Sequence, residues 1–154
     1  MDAAWPVSDG EAIHTSTFLG HPVGCAMALA QIDEITRRDL PTRAAMLGCL
    51  LLEQLRELPY KMGSLRLRSR GMGLMAGLEI RSAEGQPVTQ VSLALVKAML
   101  HRGFIVLPEG EHAEVIGLSP PLTIPASELR RTVTALSAVL RVVGATDHSN
   151  SLSQ

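Results

Sequence analysis

The run His14-Thr15-Ser16-Thr17 stands directly before Phe18-Leu19-Gly20-His21-Pro22. Three successive hydroxyls ahead of a proline-started helix can do chemistry. Side-chain O–H groups and the unpaired N–H groups of a helix start can together hold a phosphate, whose charge the positive end of the helix dipole also favours. The plain alternative is capping, in which Ser and Thr before a helix satisfy its first N–H groups and nothing more. Residue types and spacing leave both open.

Other chemistry has little support. No two of the five histidines are spaced i, i+3 or i, i+4 and no Cys-x-x-Cys occurs, so no metal site is expected. A Gly-x-Ser-x-Gly elbow is absent. Gly71, Gly73 and Gly77 depart from the dinucleotide-binding spacing, and a strand pattern follows where that motif needs a helix. They read as a turn and a close-packed strand position. Cys25 and Cys49 fall within apolar helical patterns and read as small buried hydrophobes, with no basic partner to make either a reactive thiol and no disulfide between them.

The elements that must position these residues follow from periodicity. Pro22 suits a first helical position; the helix after it carries Val23, Met27, Ala30 and Ile35 near one face and ends at Arg37-Arg38. Little in the chain is left to bury that face. A second helix runs from Pro41 to Leu58, with Met46, Leu47, Leu50, Leu51, Leu55 and Leu58 as its core stripe. The period then drops to two: Leu65 and Leu67 alternate with Arg66, Arg68 and Arg70, a half-buried strand with arginines on its outer face. After a turn at Gly71-Met72-Gly73, residues 74–81 read as the next strand. A third helix spans 88–102 with Val91, Leu95, Val96 and Met99 apolar, and Gly103 as its C-cap. Residues 104–108 and 114–120 read as short strands around a PEGEH turn. The last helix starts at Pro125, its apolar face formed by Leu129, Val133, Leu136, Val139, Leu140 and Val143. Residues 145–154 are polar and read as a disordered tail. The expected class is α/β, with helices packed on a small sheet.

Composition bounds the partners. Of 154 residues, 46% are hydrophobic and 19% charged, at a net charge of −1, which fits a globular domain and offers no general attraction to nucleic acid or anionic lipid. No apolar run has a membrane-span length and residues 1–11 do not resemble a secretory signal, so the expectation is a cytoplasmic protein.

Three motifs in order resemble class III pyridoxal-phosphate-dependent aminotransferases, closest in form to the aminobutyrate, ornithine and acetylornithine type. HTSTFLGHP is similar to that family's His-x-[Ser/Thr]-Thr-[Phe/Tyr]-x-Gly-Asn-Pro. RGMGLMAGLEI is similar to its Arg-Gly-x-Gly-Leu-Met-x-Gly-Leu-Glu, and residues 102–129 resemble its ending, with Pro-Pro-Leu-x-Ile and Glu-Leu. The resemblance covers nearly all of this chain and about the last third of a typical member.

It implies a fold-type I transferase: residues 1–19 as the tail of the large cofactor domain, 20–38 as the interdomain helix, and 39–144 as the small C-terminal domain, with helices on a mainly antiparallel sheet. It implies pyridoxal 5′-phosphate as cofactor, a homodimer with active sites at the subunit interface, and an amino donor and a keto acid acceptor as small-molecule partners. Thr17 matches the threonine that donates to the phosphate of the neighbouring subunit's cofactor, and Ser16 stands beside it. The lysine that holds the cofactor comes earlier in family members; Lys61 and Lys97 match no such motif, so no catalytic residue is assigned here. Two positions depart from the pattern. His21 replaces the usual asparagine, although an imidazole can still hydrogen-bond the local turn. Gly117 stands where many members carry an arginine for the substrate carboxylate. Arg70 belongs to the Arg-Gly-x-Gly motif. Two functions compete: the C-terminal part of a transaminase, inactive by itself, and a non-catalytic binding or dimerisation module.

Overall fold

The computed structural model describes residues 20–150, with side chains described for 20–144. The chain divides into two compact units, Met1–Arg38 and Asp39–Gln154.

Within the first unit, α1 (Pro22–Arg37) begins with His21 as N-cap and proline in its first turn. The left-handed Gly20 (φ +72°) turns the chain into it. Glu34 pairs with Arg37 at 2.7 Å and with Arg38 at 3.4 Å, exposed i, i+3 and i, i+4 contacts that solvent screens. No α1 residue is buried, and Val23, Met27, Leu29 and Ile32 are all exposed. That matches the expectation of a helix with nothing local to bury its apolar side.

The second unit comprises α2 (Leu40–Arg56), β1 (Lys61–Met62), β2 (Leu65–Met72), β3 (Met75–Ser82), α3 (Thr89–His101), β4 (Leu107–Glu109), β5 (Val115–Leu118) and α4 (Ala126–Asn150). The strands form one sheet in the order β1-β2-β3-β5-β4, antiparallel at every pairing. Alternation sorts the side chains. Leu65, Leu67, Ala76, Leu78, Ile80, Ile116 and Leu118 enter the core, joined by Leu51 and Leu55 of α2, Leu95 and Met99 of α3, and Leu129, Val133, Leu136, Val139 and Leu140 of α4. Arg66, Arg68, Arg70, Gly77, Glu79, Arg81 and Gly117 occupy the alternate positions on the opposite side of the sheet. The arginine-bearing outer face read from the sequence is therefore present.

Five details differ from the expected pattern. Met46 is 64% exposed rather than part of the α2 stripe. The buried side of α2 centres on Gly48, Leu51, Leu52 and Leu55, and position 46 lies roughly 200° around the helix from 48. Cys25 and Cys49 are both free and exposed, not buried; Cys49 follows Gly48 and so turns about 100° off the contact. β4 begins at Leu107 rather than at 104, because the end of α3 keeps hold of the chain: Phe104 N–H donates to the Met99 carbonyl at 3.0 Å and Gly103 takes φ +82°. β1 is a further strand, and α4 continues six residues past position 144.

Candidate functional site

Ser16 and Thr17 lie outside the described residues. Next to them, the start of α1 is described. His21 Nδ1 accepts a hydrogen bond from Gly24 N–H at 3.3 Å, so the imidazole does cap the local turn. A Cβ placed at Gly20 would meet no described residue within 4 Å. Pro22 has no N–H, and those of Gly24 and Cys25 already donate to His21, so what the helix start offers an anion is chiefly its dipole.

In the second unit, the β2–β3 hairpin and the β4–β5 loop border a cleft of about 380 Å³ on the outer sheet face, lined among others by Arg70, Met72, Met75, Gly77, Glu109 and Ser119. Glycines shape it. Gly73 (φ +55°) takes the first position of the two-residue turn joining Met72 to Met75, where primed hairpin turns require positive φ. At Gly77 a Cβ would stand 2.8 Å from Val115 Cγ1. The expected turn and close-packed strand position are both found.

Gly117 is buried in β5, opposite Gly77 on one side and Leu107 on the other. Val115 Cγ1 covers Gly77, and the absent Cβ at 117 leaves a hollow beside it. Glu109, which pairs in register with Val115, reaches diagonally into it, and a Cβ at 117 would overlap its carboxylate. Sequence reasoning passed over Glu109 as part of a turn. The available signal was period two across Leu107 and Glu109, which sets both on one side of a strand.

The loop carrying Glu109 is pinned from below. Buried Glu114 accepts His112 N–H at 2.9 Å, and Arg81 Nη2 stands 3.5 Å from its other oxygen. Arg81 also pairs with Glu79 at 2.7 Å and donates to the Gly85 carbonyl at 3.1 Å. Its own backbone N–H and that of His112, aided by Arg81, hold the Glu114 carboxyl below the usual carboxylate range. Gly110 (φ +87°) and Ala113 (φ 57°) make the tight bends between.

The other sequence candidates are dispersed. Lys61 is on β1 and Lys97 on α3, both exposed. Arg70 is exposed beside the cleft. Among the described residues no cluster of His, Cys, Asp or Glu could hold a metal, and no helix is long and apolar enough to cross a membrane.

The model of the class III aminotransferase family matches residues 1–140. A putrescine aminotransferase of Pectobacterium atrosepticum is 32% identical over 134 residues, covering 87% of this chain and 27% of that protein. The mitochondrial ornithine aminotransferase of Arabidopsis thaliana is 35% identical over 129 residues, covering 84% of this chain and 26% of that protein. An amine transaminase from an uncultivated Pseudomonas species, solved in its PLP-bound form, superimposes with a TM-score of 0.72 at 36% identity, over 83% of this chain and 29% of the other. The chain spans about a quarter of the length of the curated relatives it matches.

Proposed function

Because this chain belongs to the class III aminotransferase family, we propose that it forms the C-terminal part of a pyridoxal-phosphate-dependent enzyme that moves an amino group from a terminal amine or amino acid to a keto acid. The observation that carries this is the family match along residues 1–140. In this reading residues 1–19 close the large domain, 20–38 link the domains, 39–144 are the small domain, and the working unit is a cytoplasmic homodimer.

The described residues fit the cofactor at its phosphate end. The dipole at the start of α1 favours an anion, and Thr17, with Ser16 beside it, would donate hydroxyl and backbone hydrogen bonds to the phosphate. When bound, the cofactor supplies the electron sink for amino transfer. The chain's two lysines, Lys61 and Lys97, are solvated surface groups away from any such motif. In the family pattern the lysine that anchors the cofactor lies in a segment preceding these motifs, and this chain alone is expected to be inactive.

Gly117 bears on the donor. Arginine binds a carboxylate through two parallel hydrogen bonds from its planar fork. Glycine has no side chain to do so. A donor without a carboxylate beside its reacting amine fits this site better, a preference in keeping with the putrescine aminotransferase among its relatives.

The test compares this chain with a protein in which the lysine segment precedes it. Each is mixed with pyridoxal phosphate and assayed with amine donors and a keto acid. Borohydride reduction and peptide mapping then locate any cofactor adduct. Turnover by the longer protein alone supports the reading. A stoichiometric adduct at Lys61 or Lys97 with turnover by this chain would overturn the expectation of inactivity. No turnover by the longer protein would favour a binding or dimerisation module.

A further inference from the structure

We infer that Glu109 is a specificity-determining residue that receives the distal ammonium of a diamine donor; this rests on the aminotransferase reading and on the outer-face cleft as the donor's side of the site. The geometry is particular. Gly117 and Gly77 are register partners; Val115 Cγ1 stands over Gly77, and the Glu109 carboxylate lies diagonally over Gly117. Glu109 therefore occupies space that any side chain at 117 would need. It lines the same cleft as Arg70 and Ser119. Among the described residues it accepts no hydrogen bond and makes no ion pair, whereas Glu114 five positions on is held by His112 and Arg81. The fold thus ties down one acidic group of this loop and leaves the other available.

Charge decides what such a group selects. A carboxylate resting over Gly117 repels a donor's carboxylate and attracts an ammonium. An amine at the end of an alkyl chain stays protonated at neutral pH, as a lysine does. One amine reacts while the second, a chain length away, meets Glu109. Arg70 and Glu109 are both exposed at the cleft, so water screens Arg70's competition for the carboxylate and the carboxylate's own pairing alike.

The experiment uses the cofactor-loaded longer protein, with 1,4-diaminobutane and butylamine as donors against one keto acid. Glu109 is exposed and solvent screens its pairing, so Glu109→Gln should lower the diamine-to-monoamine ratio of kcat/KM by roughly two- to fivefold. Glu109→Asp should keep part of the ratio. Melting temperatures should match the wild type, since Glu109 has no partner to lose. A ratio unchanged by Glu109→Gln, in an enzyme that does transfer amino groups, would overturn the role of Glu109 alone. Absence of transfer from every donor would overturn the aminotransferase reading and this inference together.

Discussion

Gly48, in the middle of α2, lies against the backbone of Gly73: a Cβ at 48 would overlap the Gly73 carbonyl and stand 2.5 Å from its Cα. The helix thereby rests directly on the hairpin turn whose flanking residues, Met72 and Met75, line the outer-face cleft. Neither partner can yield by changing rotamer, because the obstacle is main chain.

Gly48→Ala should therefore destabilise the second unit even though alanine is the better helix former. The propensity gain is at most about 1 kcal/mol, while overpacking costs about 1–3 kcal/mol and reaches the upper end where backbone must move. A net loss of roughly 2 kcal/mol in denaturant unfolding is expected. A stability equal to or above the wild type would show that α2 and the turn can separate without cost.

Glu114 sets an acid limit. Its folded carboxyl titrates below the ordinary range because its own N–H, the His112 N–H and Arg81 favour the charged form. A lowered folded pKa contributes stability that is fully present above the unfolded value and lost as pH falls through the folded one. Glu114→Gln should thus cost most at neutral pH, and the gap to wild type should narrow as the solution becomes acidic. Unfolding midpoints measured from pH 7 to pH 3 check this. A gap that stays constant with pH would mean that Glu114 acts by packing alone.

Where one side of an element met one environment, the sequence revealed it. The switch from period 3.6 to period 2 at Leu65 located β2, and alternating arginines marked its outer face. The apolar face of α4 and the burial of Leu95 and Met99 followed the same logic. Features set by contacts distant in sequence did not show. Met46 and Cys49 belong to an apolar run, yet α2 turns toward Gly73, and only the tertiary contact says which way. β1 has two residues, too few for any period. Of the site, Gly117 was evident as a departure from a motif, but the carboxylate beside it depends on β4 pairing in register with β5.

Thr17 lies outside the described residues, and the expectation for it rests on the family pattern and on the helix start beside it. A hydroxyl donating to a phosphate is worth about 1.5–3 kcal/mol, so Thr17→Ala in the longer protein should weaken cofactor affinity by roughly tenfold or more. Thermal stability without cofactor should change little. An unchanged cofactor dissociation constant would reduce Thr17 to a residue preceding α1.

Gly117→Arg tests whether the missing fork decides donor choice. The new side chain begins inside the space of the Glu109 carboxylate, so Glu109 must swing aside. Once displaced, it is still close enough to pair with the guanidinium. An exposed pair of this kind contributes only about 0–1 kcal/mol, but it occupies the arginine's hydrogen-bonding fork and offsets its charge. The single variant should therefore move kcat/KM only modestly toward donors with an α-carboxylate. Gly117→Arg combined with Glu109→Gln leaves the fork open, and should move the ratio further than the sum of the single effects, because the two residues touch. Donor profiling of all four proteins against one keto acid measures that coupling. Additive effects would mean that Glu109 and position 117 act independently. A wild type that already strongly prefers ordinary α-amino acids would mean that the carboxylate is held by a group outside this chain.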